Sequence, residues 1–110
     1  MSDRFTPGAP PQSRVTYEVS VFIDPALAER FERYMLDRHI PEVLATGCFT
    51  GATLERSSPG EYRTRYEAAA DSDVDRYLAQ YTADLRADFV AHFPEARASR
   101  AHWTALGISR

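Results

Sequence analysis

His39 and Glu42 stand three positions apart in the run His39-Ile40-Pro41-Glu42-Val43-Leu44-Ala45-Thr46-Gly47, and they are the residues of this chain best suited to moving a proton. An imidazole titrates near neutrality, so a histidine within reach of a carboxylate can serve as a general base or acid. Tyr17, Tyr66 and Trp103 could line a pocket around that pair, each with an apolar body and a polar tip. Each residue also has a plainer reading. His39 can end a helix by bonding a backbone carbonyl, Glu42 can favour a helix dipole from its first turn, and the rings can fill a core.

Other chemistry finds little support. His39, His92 and His102 never fall at the i, i+3 or i, i+4 spacing of a helical metal site, and no Cys-x-x-Cys exists, so no metal is expected. Cys48 has no established basic neighbour and reads as a small buried hydrophobe rather than a nucleophile. There is no glycine-rich phosphate loop, Walker sequence or Gly-x-Ser-x-Gly elbow, and no cofactor is expected.

Composition narrows the partners. The 110 residues fit one small domain, and a net charge of −3 provides no footprint for nucleic acid or an anionic membrane. All thirteen basic residues are Arg, a bias that fits bidentate pairing and fits a GC-rich genome equally well. A single cysteine forms no internal disulfide and no long apolar run marks secretion or membrane insertion, so a cytoplasmic setting is expected.

The elements that must position these residues follow from periodicity. Residues 1–13, with four prolines or glycines and little to bury, read as a flexible tail, leaving 14–110 as one domain. Val15, Tyr17, Val19, Val21 and Ile23 alternate with polar neighbours as a half-buried strand does. Asp24-Pro25 then opens an amphipathic helix to about His39, with Leu27, Phe31, Tyr34 and Met35 at helical spacing. Pro41 is expected to push Ile40 out of the α region and to kink or restart the helix, and Gly47 to cap it in the left-handed region.

Cys48 to Arg56 and Glu61 to Ala69 read as an antiparallel hairpin joined by a Pro59-Gly60 turn of type II character. Ser72-Asp73-Val74-Asp75 resembles a capping box, and Val74, Tyr77, Leu78, Tyr81, Leu85 and Phe89 mark the face of one long helix that ends before Pro94. Arg97 to Ile108 supplies a fourth strand.

The order β-α-β-β-α-β predicts an α+β, ferredoxin-like fold, with two main helices on one face of a four-stranded antiparallel sheet. The other face is left open. Strand alternation would present Glu18, Ser20 and Phe22 there, together with Arg63, Arg65 and Glu67 of the third strand and Arg100 and His102 of the fourth. Such a mixed-charge surface suits either solvent or a polar contact with a second copy.

The His39 to Gly47 run, preceded by Tyr17-Glu18-Val19 and Asp24-Pro25, resembles the DUF4286 family of uncharacterised bacterial proteins. The resemblance spans most of the domain and implies a relation to the dimeric α/β-barrel superfamily, in which two ferredoxin-like sheets pack face to face. It implies architecture and no reaction. The function expected is therefore a homodimeric ligand-binding or interaction module, with a possible small-molecule ligand and no nucleic-acid or membrane partner. The alternative is a cofactor-independent oxygenase or isomerase of the dimeric α/β-barrel type.

Overall fold

The alternation that begins at Val15 folds as strand β1 (Val15–Phe22) in a computed structural model that describes residues 14–107. The expected tail at 1–13 and the expected end of the last strand at Ile108 lie outside the described residues. Asp24 accepts a hydrogen bond from the Ala26 amide at 2.9 Å and so opens a single 3-10 turn (Pro25–Leu27). That turn runs into helix α1 (Ala28–Tyr34), a π turn (Met35–His39) and helix α2 (Ile40–Ala45).

Pro41 does not break this helix. Ile40 keeps helical dihedrals (φ −61°, ψ −46°), and its amide donates to the carbonyl of Met35, five residues back. The wider turn just before the proline leaves room for the ring where an α turn would crowd a carbonyl, so the chain stays helical through it. Gly47 takes φ +77° and its amide donates to the Leu44 carbonyl at 3.1 Å, ending the helix in the left-handed cap.

Cys48 and Phe49 are buried before the next strand begins, so β2 (Gly51–Ser58) starts three residues later than periodicity suggests. A register irregularity between Arg56 and Ser58 precedes the turn into β3 (Glu61–Ala68). Helix α3 (Asp71–Gln80) has Ala70 at its N-cap, so the expected Ser72 capping box does not form, and Asp71 and Asp73 supply the first-turn negative charge. The expected long helix is divided at Tyr81 (φ −123°), beyond which α4 (Thr82–His92) continues. Strand β4 (Arg97–Thr104) closes the domain.

The strands lie in the order β2-β3-β1-β4 with every neighbouring pair antiparallel, the topology of the ferredoxin-like fold. Two groups of rings join sheet to helices. Phe31, wholly buried, lies 4.5 Å from Tyr62 and 5.5 Å from Phe93 between ring centroids. Tyr17, Phe49, Tyr66 and Tyr77 form the other group, with Phe49 5.2 Å from Tyr66 and 5.0 Å from Tyr77.

Register determines which side chains share a face, because directly opposed residues point the same way. Tyr17 opposes Tyr66 on one side and His102 on the other, while Val19 opposes Thr64 and Arg100. Arg100 and His102 therefore lie on the helix side, not on the open face where alternation alone put them. Trp103, opposite Thr16, lies on the open face instead of in a helix-side pocket. The cause is strand β4 itself, whose sequence Arg-Ala-Ser-Arg-Ala-His-Trp-Thr carries no apolar alternation to set its phase.

Candidate functional site

A cleft opens where α4, the α3–α4 kink and the π turn meet the sheet. Tyr17 of β1 and Tyr66 of β3 form its floor, as opposed residues on the buried side of the two central strands. Tyr77 and Thr82 flank the kink at Tyr81, and Arg86 and Phe89 follow Thr82 at i+4 and i+7, a spacing that keeps all three on one face of α4. Arg100 of the edge strand β4 stands at the mouth. The π turn contributes His39, whose ring lies 5.7 Å from Tyr34 and 5.9 Å from Phe89. The enclosed volume is about 30 Å³, room for one or two waters.

Burial governs the electrostatics of the cleft. It presses the imidazolium form of His39 down to a pKa of about 4, with Asp88 opposing that shift and Arg100 adding to it, so His39 is neutral at physiological pH. His39 Nδ1 is buried without a hydrogen-bond partner among the described residues. Burial also drives the Tyr66 and Tyr77 hydroxyls above the ordinary tyrosine value, for Tyr77 against a hydrogen bond from Thr82, so both are protonated. Arg100 is held below its ordinary value by partial burial first and by the neighbouring Arg86 second.

Of the five residues suggested for a pocket, His39, Tyr17 and Tyr66 converge here. Glu42 does not join them. Its carboxylate turns along the helix surface toward Arg38, 3.8 Å away. Trp103 is 57% exposed on the opposite side of the sheet. Tyr77, Thr82, Arg86 and Arg100 complete the cleft without having been singled out for it, because a threonine and an arginine on a helix read as solvated surface until the fold sets a strand beneath them.

On the open face Arg65 bridges two strands, with Nε 3.3 Å from Glu18 and Nη2 3.4 Å from Glu55, and Arg63 meets Glu55 at 2.7 Å. Ser20, Glu67 and Phe22 share that face by register, and Arg97 lies over the Phe22 ring at 5.3 Å. His102, on the other side, bonds Asp71 at the start of α3 at 2.8 Å. No group of three or more His, Cys, Asp or Glu among the described residues is arranged to hold a metal ion. No helix among the described residues is long and apolar enough to cross a membrane.

Comparison with known proteins agrees with this architecture. The model of DUF4286, a domain of unknown function, matches residues 14–102. Among solved structures, the chain is similar to a monooxygenase from the gene ActVA-Orf6 of Streptomyces coelicolor, in complex with the ligand nanaomycin D. The TM-score is 0.70 at 13% identity, over 92% of this chain and 95% of that one. It is also similar to SnoaB, a cofactor-independent oxygenase from Streptomyces nogalater (TM-score 0.62, 19% identity, 86% and 94% of the two chains). A third likeness is to a dimeric ferredoxin-like protein from an uncultured marine organism (TM-score 0.60, 13% identity, 86% and 96%). At these identities the likeness is one of fold, the ferredoxin-like fold. No curated protein matches the sequence.

Proposed function

This chain belongs to the DUF4286 family, and on that premise we propose that it is a cytoplasmic homodimeric module that binds a small molecule in the cleft between sheet and helices. The observation that carries this reading is the convergence of His39, Tyr17, Tyr66, Arg86 and Arg100 on one cleft from five separate elements. Tyr17 and Tyr66 are buried beneath it, His39 Nδ1 is buried without a partner among the described residues, and the exposed Arg86 and Arg100 edge it, an apolar recess with a few convergent polar groups of the kind small molecules occupy. The dimer forms through the open sheet face, where Phe22 and Trp103 are exposed beside the Arg65 ion pairs. A dimeric protein of the same fold supports that assembly. A thermal-shift screen of small molecules, read together with light scattering behind size exclusion, tests both parts. A ligand should raise the melting temperature in wild type and lose that effect in Tyr66→Ala. A monomer at micromolar concentration would end the dimer.

The second reading is a cofactor-independent oxygenase, favoured by the likeness to one cofactor-independent oxygenase and one monooxygenase of the same fold. Here the cleft would engage the hydroxyl of an electron-rich hydroxyaromatic whose ring lies at its mouth, and dioxygen would be the oxidant. An oxygen electrode distinguishes the two. Consumption of dioxygen with a reduced hydroxyaromatic and abolition by Tyr66→Phe or His39→Phe would establish the enzyme, and a flat trace across a panel of such compounds would leave the binding module.

A further inference from the structure

The arginines of this chain are not equally provided for. Arg38, Arg56, Arg63, Arg65 and Arg76 each meet a carboxylate. Arg86 and Arg100 meet none among the described residues, although both border the cleft that His39, Tyr17 and Tyr66 line. Among the described residues no aspartate or glutamate lines that cleft, in a chain with more acidic than basic residues. Two adjoining guanidiniums without a counter-charge repel each other, and an anion between them relieves that cost.

His39 supplies a third donor. Its Nδ1 is sealed from solvent and unpartnered, so the ring meets the cleft through its other atoms. A neutral imidazole carries one proton, and a buried N–H without an acceptor is rarer than a bare acceptor, which assigns the proton to Nε2. Nε2–H is then free to donate into the cleft. Two guanidiniums and an imidazole N–H, with no carboxylate present, form a donor set matched to an oxyanion. The enclosed volume suits a head group of three heavy atoms and not a large body.

We propose that the cleft is a carboxylate site, with the head group of a small organic acid entering first, Arg86 and Arg100 gripping its two oxygens from the rim, His39 Nε2–H donating from inside above the tyrosine floor, and the body of the acid left outside the mouth. This rests on the reading of the cleft as a ligand site and adds the class of its ligand. The preference is for a planar, bidentate acceptor, the shape that arginine forks recognise.

The test is titration of the full chain with benzoate, benzamide and inorganic phosphate, followed by amide and imidazole nitrogen NMR. Benzoate is expected to shift the resonances of Tyr17, His39 and Arg100, with the imidazole spectrum showing a proton on Nε2. Benzamide should bind at least about tenfold more weakly, as should benzoate to Arg100→Gln or Arg86→Gln, both of them surface substitutions that leave the fold intact. If benzamide binds in the cleft as well as benzoate and the glutamine variants are unaffected, the carboxylate assignment falls while the ligand site stands. If phosphate binds as tightly as benzoate, the site is a general anion site and the assignment again falls. If none of the three probes shifts a cleft resonance, the carboxylate proposal and the ligand site fail together.

Discussion

The Tyr34 hydroxyl donates to Asp88 Oδ2 at 2.7 Å, tying α1 to α4 across the helical layer. Arg38 donates to the other oxygen of the same carboxylate at 2.8 Å, and Tyr34 also carries the ring that lies beside His39. One contact thus joins the helix pair and supports a wall of the cleft. The bond to Tyr34 is the main reason the Asp88 carboxyl is held below the usual aspartate range, and the Tyr34 hydroxyl is pushed upward by burial first and by Asp88 second. Replacing Tyr34 with Phe removes the donor and keeps the ring. It is expected to cost about 1.5–3 kcal/mol in urea denaturation, the range for a hydrogen bond to a charged acceptor. An unchanged midpoint would mean that water replaces Tyr34 at Asp88 without loss.

His39 makes the fold acid-sensitive in a defined window. Its pKa is about 4 in the folded chain against 6.5 for the free side chain. Between those values the unfolded chain binds the proton more readily, so stability is full above pH 6.5 and falls as pH drops toward 4. The shift corresponds to about 3 kcal/mol over that interval. His39→Phe, which keeps a ring beside Tyr34 and Phe89 and has no proton to gain, should flatten the wild-type slope. The check is denaturation at several pH values, taken as wild type minus variant so that the carboxylates titrating near pH 4 cancel. Parallel profiles would show that His39 is not neutral in the folded state.

These two contacts also show how far the sequence could be read. The spacing of Phe31, Tyr34 and Met35 marks the buried face of the first helix, and strand alternation assigns Tyr17, Tyr62 and Tyr66 to the core, because both patterns arise from residues whose burial dominates their energetics. The order β-α-β-β-α-β then admits few topologies. Periodicity does not encode the phase of an element polar on both sides. Strand β4 is such an element, which is why Arg100 and Trp103 exchange faces relative to expectation. His39 is visible as a residue, but its place inside the cleft depends on the π turn. That turn inserts one extra residue into the helical count and rotates the helix beyond it.

Gly60 is the turn position that admits no side chain. It adopts φ +91°, and a Cβ built there would lie 2.5 Å from the Ile23 carbonyl oxygen, a backbone atom fixed in the loop after β1. The Gly60 carbonyl also accepts the Ile23 amide at 2.9 Å, so the turn cannot move away without losing a hydrogen bond. Gly60→Ala is expected to destabilise by about 1–3 kcal/mol through strain and displacement together, lowering the melting temperature while the circular dichroism spectrum keeps its shape. Gly47→Ala, with φ +77° but nothing within 4 Å, carries only the dihedral cost and should be milder. Equal losses at the two sites would place the effect in backbone conformation alone.

Trp103 makes the open face its own reporter. It is the chain's one tryptophan, 57% exposed in the isolated subunit, and it shares the face with Phe22, itself 42% exposed. If two copies meet through this face, dimerisation takes the indole out of water, and its emission must shift to longer wavelength on dilution through the dissociation constant. A wavelength independent of concentration, at the position of a solvated indole, would place the interface elsewhere or remove it. Phe22→Glu strengthens the test without touching the reporter, because Phe22 lies outside the core and its substitution should leave folding intact. Facing its symmetry mate, a carboxylate in place of the ring adds like-charge repulsion and removes apolar contact, which together should weaken the dimer by at least about tenfold. Light scattering of the variant at a concentration where wild type is dimeric then gives the mass of one chain, and an unchanged mass would show that the sheet face bearing Phe22 is not where the copies meet.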